Sequence, residues 1–324
     1  MIGGGSWATA LTKILSENGH LVHWWLRHAA DVKHLREFRH NPRYLSGVAF
    51  DLRRVLPSTD LAATIAAADW VVLAVPAAFI RPALRNLSPE ALEGKTIISA
   101  IKGMVPELNI LVTDWLRDHY GVPADRLGVV AGPCHAEEVA LEKQSYLTIG
   151  SPDTTRAEAF AALLRNRYVR CAASPDLDGI EYCAVMKNII ALTCGIAHGL
   201  GYGDNFQAVL VSNALQEIQR FLHAILPFDR DLAGSAYLGD LLVTSYSQFS
   251  RNRTFGNMIG RGYSVKSAQM EMNMIAEGYY AVKSVWELNR RLHVPMPITD
   301  AAYNVLYGRI SPAVELEILR DKFA

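Results

Sequence analysis

The chain opens Met1-Ile2-Gly3-Gly4-Gly5-Ser6-Trp7-Ala8-Thr9-Ala10-Leu11, a glycine-rich turn running straight into a helix. Gly3, Gly5 and Ala8 fit the spacing G-x-G-x-x-G/A of a dinucleotide-binding turn. In that reading Gly3 makes the turn tight, and Gly5 lets the backbone approach a pyrophosphate. Ser6 and Trp7 then open a helix whose first N–H groups and dipole face the phosphates. Ala8 lets that helix pack close to the sheet. Glycine runs also make ordinary loops, so the motif needs a strand before it. Only Met1 and Ile2 precede Gly3. The expectation is that the first strand is missing here and that a short, mostly β-branched apolar segment lies upstream.

The rest of the chain has two rhythms. Up to about Ser174, short apolar runs alternate with helical segments. Strands are expected at Leu21–Leu26, Trp70–Val75, Thr96–Ala100, Leu127–Ala131, Tyr146–Gly150 and Tyr168–Ala172. The run around Trp70–Val75 is continuously apolar, as in a strand buried on both faces. Strands separated by helices imply right-handed crossovers and a parallel sheet. From about Leu177 the pattern turns helical, over Asp178–Leu200, Asn205–Leu226, Ala233–Phe249, Ala276–Leu292 and Ile298–Tyr307. The expected fold is therefore α/β. A Rossmann-like doubly wound sheet occupies residues 1–176, and an all-α domain occupies 177–324.

Length and composition agree. The 324 residues suit about two domains. With 50% hydrophobic residues the chain can build sizeable cores, and a net charge of zero gives no hint of nucleic acid or an anionic membrane as a partner. No signal peptide is apparent, and no apolar run reaches the roughly 18 residues of a membrane span. Cys134, Cys171, Cys183 and Cys194 show no C-x-x-C spacing and no metal pattern. Reduced thiols in the cytoplasm are expected.

The cofactor can be read one step further. Enzymes that prefer NAD carry an acidic residue about 20 residues past the glycines, to hold the ribose 2′-OH. Here that place holds Arg27 and His28, and no carboxylate occurs before Asp31. A guanidinium suits the 2′-phosphate of NADP(H), which is the expected preference, with NAD(H) as the second choice. A solvated strand-end arginine is the plainer alternative.

Five further segments stand out. Ser99-Ala100-Ile101-Lys102-Gly103 ends a strand, where ligands bind in open α/β sheets. Lys102 could meet an anion there, although most lysines simply face solvent. Gly132-Pro133-Cys134-His135-Ala136 follows another strand and is small enough for backbone approach to a ligand, or merely forms a turn. Lys187, in Val185-Met186-Lys187-Asn188-Ile189, stands alone in an apolar helix. Desolvation would lower its pKa toward a value useful for proton transfer, whereas a snorkelling lysine would need no function. Asp240 and Thr244 share a helix face at i and i+4. Ser250-Arg251-Asn252-Arg253 offers arginines at a probable helix start, a plausible phosphate site or a solvated loop.

Together, Gly-Gly-Gly-Ser-Trp-Ala, Ser-Ala-Ile-Lys-Gly, Ala-Gly-Pro-Cys-His-Ala-Glu-Glu-Val, Val-Met-Lys-Asn, Gly-Asp-Leu-Leu-Val-Thr and Ser-Arg-Asn-Arg resemble NAD(P)-dependent glycerol-3-phosphate dehydrogenase, in its bacterial soluble biosynthetic form. The resemblance runs in order from Gly3 to about Tyr307. It implies Lys187 as general acid/base, with Lys102 beside it and Asp240, Thr244 and Asn188 in support. It implies substrate contacts at Lys102, Gly132, Cys134, Asp240, Ser250, Arg251 and Asn252. It implies dinucleotide contacts at Gly3, Gly5, Ser6, Trp7, Arg27, His28, Tyr44, Lys102, Ala136, Arg251, Ile275 and Glu277. Two positions depart from the family. Cys134 replaces the usual Ser, and Ala8 replaces the commoner Gly.

The implied reaction is reversible reduction of dihydroxyacetone phosphate to sn-glycerol 3-phosphate, for phospholipid synthesis. A small-molecule substrate, no nucleic acid, no membrane insertion, no metal, a cytoplasmic location and room for a homodimer complete the expectation. A β-hydroxyacid dehydrogenase is the rival enzyme, but it resembles Lys-x-x-x-Asn, whereas Lys187 and Asn188 are adjacent. A cofactor sensor without turnover is the non-enzyme rival. The presence of Lys102, Lys187, Asp240 and Arg251 argues against it.

Overall fold

The computed structural model describes residues 1–226, 228–272 and 276–323. It divides into two compact units: Met1–Ile101 with Val112–Ile180, and Lys102–Leu111 with Glu181–Ala324. The sequence placed one boundary between 176 and 177. The ten residues Lys102–Leu111 therefore group with the later helices, although the chain passes them early.

The first unit is built on a sheet. Its strands are β1 (Val22–Trp25), β2 (Val55–Ser58), β3 (Trp70–Leu73) and β4 (Thr96–Ser99), and β7 (Leu127–Ala131), β8 (Ser145–Gly150) and β9 (Val169–Ser174). Strands β5 (Met104–Val105) and β6 (Ile110–Leu111) form an antiparallel hairpin in the second unit. Pairing runs β2–β1 and β3–β4–β7–β8–β9. Ile2 joins the two sets, bridging Trp25 on one side and Leu73 on the other, both in parallel sense. Its N–H donates to the Val72 carbonyl, and its own carbonyl accepts from Ala74. Trp25 N–H in turn donates to the Met1 carbonyl. Met1 and Ile2 thus occupy the central strand position that the glycine turn requires.

All four residues of β4 and all five of β7 are buried, as expected for strands covered on both faces. The strand expected to be missing is thus represented by Met1 and Ile2, and a second expectation also fails. β7 and β8 pair antiparallel, not parallel. A parallel crossover usually carries a full helix that packs on the sheet. Here the connection holds only the five-residue helix Ala136–Ala140. β2 was also not anticipated, because Pro57 sits within it. It is paired only to β1, and an edge strand tolerates proline.

Among the described residues from Glu181 onward the regular elements are helices, as expected, and the β5–β6 hairpin joins the second unit from earlier in the chain. Met104 and Leu111 of the hairpin share one core with Met186, Ile190, Phe221 and Phe255. The helix Leu177–Gly199 has the length and mean hydropathy of a membrane span, contrary to the sequence expectation, yet 94% of its apolar window is buried in the protein. The helix expected over Ala233–Phe249 is broken. A wide turn of π type, Ser235–Gly239, feeds a short helix, Asp240–Tyr246.

The Leu177–Gly199 helix crosses the helix Arg251–Gly260 at glycines on both sides. A Cβ on Gly195 would strike the Arg253 carbonyl, and one on Gly199 the Asn257 carbonyl. In return, a Cβ on Gly256 or Gly260 would strike the carbonyl of Leu192 or Ile196. Backbone meets backbone along two turns, and no side chain fits between.

Candidate active site

The glycine turn is held from its carbonyl side. The buried Trp24 indole donates to the Gly3 carbonyl at 2.6 Å. Asn41 donates to the Gly4 carbonyl at 3.0 Å and to Thr9 Oγ1 at 2.8 Å. Thr9 Oγ1 donates to the Gly5 carbonyl at 2.9 Å. Gly3 has φ +129°, and a Cβ there would strike the Ala74 carbonyl, so no other residue fits. At Gly5 a Cβ would meet nothing within 4 Å. The helix Ser6–Glu17 begins there with no capping side chain and no acid in its first turn. An open helix start with its carbonyls tied back fits a diphosphate, so the residues present suit a dinucleotide.

Other expected cofactor residues of this unit lie nearby in the chain. Arg27 and His28 follow β1 and are exposed. Tyr44 N–H donates to Asn41 Oδ1, so Asn41 links the loop of Tyr44 to the glycine turn. Sequence reading passed over Asn41. The only available signal was its place before Pro42, a common turn position. Ala136 is buried at the start of a helix packed against Ser6–Glu17. Cys134 is buried two residues before it. Gly132 has φ +122°, and a Cβ would lie 2.5 Å from the Tyr146 carbonyl. The neighbouring strand by itself therefore requires that glycine.

The second unit gathers the expected proton-transfer residues. Lys187 is 3% exposed and Asp240 is 1% exposed, and the two form an ion pair. Burial pushes the Lys187 ammonium down to about 7. The Asp240 carboxylate opposes that, and the hydrogen-bonded Lys102 ammonium adds to it. A buried lysine poised near neutrality can hold or release a proton under ordinary conditions. Thr244 Oγ1 donates to the Asp240 carbonyl at 2.7 Å and reaches its carboxylate only at 3.5 Å. The i and i+4 spacing thus serves the helix backbone first.

Asn188 and Asn252 join this group. Asn188 Nδ2 donates to the Lys102 carbonyl at 2.8 Å. Asn252 Nδ2 donates to Asn188 Oδ1 at 2.8 Å, and the Gly278 N–H donates to Asn252 Oδ1 at 2.8 Å. Gly278, also unanticipated, begins one residue after Glu277 in the helix Glu277–Leu292. Ser250 caps the helix Arg251–Gly260, accepting from Arg253 N–H at 3.3 Å. The cap engages this oxygen as an acceptor and leaves its O–H able to donate to a substrate oxygen. Arg251 stands half-buried at the first helical position, with no acid in that turn. A cation on a helix start is suited to a phosphate. Ile275 lies outside the described residues.

Two family models match the chain. One, described as NAD-dependent glycerol-3-phosphate dehydrogenase N-terminus, matches residues 1–157, and the C-terminus counterpart matches residues 176–317. A glycerol-3-phosphate dehydrogenase (NAD(P)+) from Geobacillus thermodenitrificans is 37% identical over 99% of this chain and 94% of its own length. One from Staphylococcus carnosus is 34% identical over 99% and 98%. The crystal structure of glycerol-3-phosphate dehydrogenase from Coxiella burnetii superposes with a TM-score of 0.93, at 27% identity, covering 99% of this chain and 98% of that one.

Proposed function

The chain belongs to the NAD-dependent glycerol-3-phosphate dehydrogenase family, and from that premise we infer that it reduces dihydroxyacetone phosphate to sn-glycerol 3-phosphate. It is an oxidoreductase acting on a CH–OH group with NAD(P) as cofactor. The observation that carries the reading is the buried Lys187–Asp240 pair with Lys102 beside it. A proton donor shielded from water and poised near neutrality is what ketone reduction needs at its oxygen.

When bound, NAD(P)H supplies a hydride to C2. Gly3, Gly5, Ser6 and Trp7 would hold its diphosphate, and Arg27 its adenosine end. Lys187 gives its proton to the C2 oxygen as that oxygen gains charge, and takes it back in the reverse direction. Asp240 keeps Lys187 protonated until then. Lys102 adds a second positive charge against the developing oxyanion. Arg251 clamps the phosphate at the helix start, which fixes the distance from phosphate to C2.

Exposure of Arg27 and the missing carboxylate after β1 support a preference for NADPH over NADH. The buried state of the Leu177–Gly199 helix supports a protein without membrane insertion. Membership of the family supports work in the cytoplasm on a precursor of phospholipids. The test is loss of NADPH absorbance with dihydroxyacetone phosphate. Turnover is expected in the wild-type protein and about 10²–10⁴-fold less in Lys187→Ala, with NADPH affinity nearly intact. Absence of turnover in the wild type, with NADPH still bound, would favour a cofactor sensor instead.

A further inference from the structure

The run of amides from Gly278 to Lys102 reaches beyond what the reaction itself demands. Asn252 spends its carbonyl oxygen on the Gly278 N–H and one amide hydrogen on Asn188. Asn188 spends its amide on the Lys102 carbonyl. Three consecutive bonds of 2.8 Å thus connect four segments: the Glu277–Leu292 helix, the Arg251–Gly260 helix, the Leu177–Gly199 helix and the approach to β5. Asn188 is 4% exposed and Asn252 8% exposed, so water competes poorly for these bonds. The fit is close. A Cβ on Gly278 would lie 2.6 Å from the Asn188 carbonyl and 3.0 Å from Asn252 Oδ1.

Resting on the function inferred above, we propose that Asn252 and Gly278 are positioning residues, which act through Asn188 to hold Lys102 against Lys187. Asn188 is the residue next to Lys187 on the same helix, so its bond fixes the Lys102 backbone relative to the proton donor. The charged groups acting on Lys187 are Asp240, from the Asp240–Tyr246 helix, and Lys102. The relay governs the second of these. Holding two ammonium groups together is unfavourable without a restraint, because like charges repel. With the relay cut, Lys102 withdraws and Lys187 holds its proton more tightly. Asn252 then serves the substrate phosphate, if at all, with only its remaining N–H.

The test uses Asn252→Ala and Gly278→Ala in the full chain, with thermal midpoints recorded for both. Titration of lysines labelled with 13C at Cε, followed by NMR, reads the Lys187 midpoint without any substrate. Steady-state rates with dihydroxyacetone phosphate and with unphosphorylated dihydroxyacetone supply the second readout. The expected result is a Lys187 midpoint above that of the wild type in both variants. A fall in kcat of about 10-fold or more accompanies it, because the withdrawn Lys102 charge no longer opposes the developing oxyanion, a loss that outweighs the larger ammonium fraction of Lys187. The loss in kcat/KM is the same for the two substrates. An unchanged Lys187 midpoint in folded variants overturns the proposal, as does a loss confined to the phosphorylated substrate. Absence of wild-type turnover would count against the inferred function alone, because the NMR titration still decides the relay.

Discussion

Asp240→Asn tests the buried pair most directly. Burial lowers the Lys187 pKa, the Asp240 carboxylate raises it and the Lys102 ammonium lowers it, leaving it at about 7. The substitution keeps the shape of the side chain and removes the influence that favours the ammonium. Two unit charges about 4 Å apart interact by about 4 kcal/mol at an effective dielectric of about 20. At about 1.4 kcal/mol per pH unit, that is about 3 pH units. The Lys187 midpoint therefore falls well below its wild-type position, and the ammonium fraction at about pH 7.5 drops on the order of 10²–10³-fold. Ketone reduction needs that ammonium, so kcat drops in proportion. The assay is NADPH oxidation under saturating dihydroxyacetone phosphate, from about pH 5 to about pH 9. Wild-type kcat declines as pH rises through about 7, because the acid loses its proton there. In the variant the same decline moves into acid, and rate returns on acidification. A folded variant whose decline stays near about pH 7, with kcat within about threefold of wild type, would refute the reasoning.

Arg251→Ala is expected to raise KM for dihydroxyacetone phosphate, by about 2–5 kcal/mol of lost contact, with a smaller change for unphosphorylated dihydroxyacetone. Equal discrimination between the two substrates in mutant and wild type would place the phosphate clamp elsewhere. Arg27→Asp should invert the ratio of kcat/KM for NADPH and NADH, and an unchanged ratio would mean that Arg27 faces only solvent. Gly256→Ala should lower stability by about 1–3 kcal/mol in urea unfolding, since its Cβ meets the Leu192 carbonyl. An unchanged midpoint would mean that the two helices separate without strain.

Much of this was legible in the sequence, for reasons that differ by element. The buried strands β3 and β7 announced themselves because both faces are covered, so every position is apolar or small. Lys187 was legible because a charge in an apolar helix has few innocent explanations. β5 and β6 were not, since two residues carry no period. The antiparallel turn into β8 was not legible either, because how many residues of its connection become helical is set by packing. Asn41 and Gly278 escaped because their roles lie in what they touch, across long stretches of chain. Ser250 was placed at the phosphate by resemblance, and the cap it makes is visible only once the helix start is known.

The glycine crossing of the Leu177–Gly199 and Arg251–Gly260 helices has a consequence in time as well as in space. With carbonyl against glycine on both sides, neither helix can tilt or slide without driving backbone into backbone. Their amide hydrogens should then exchange with solvent together, in one cooperative opening. Lys187 and Asn188 ride on one helix, and Arg251 and Asn252 on the other. Lys187 and Arg251 would therefore keep their spacing through every fluctuation short of that opening. When it came, both would be lost at once.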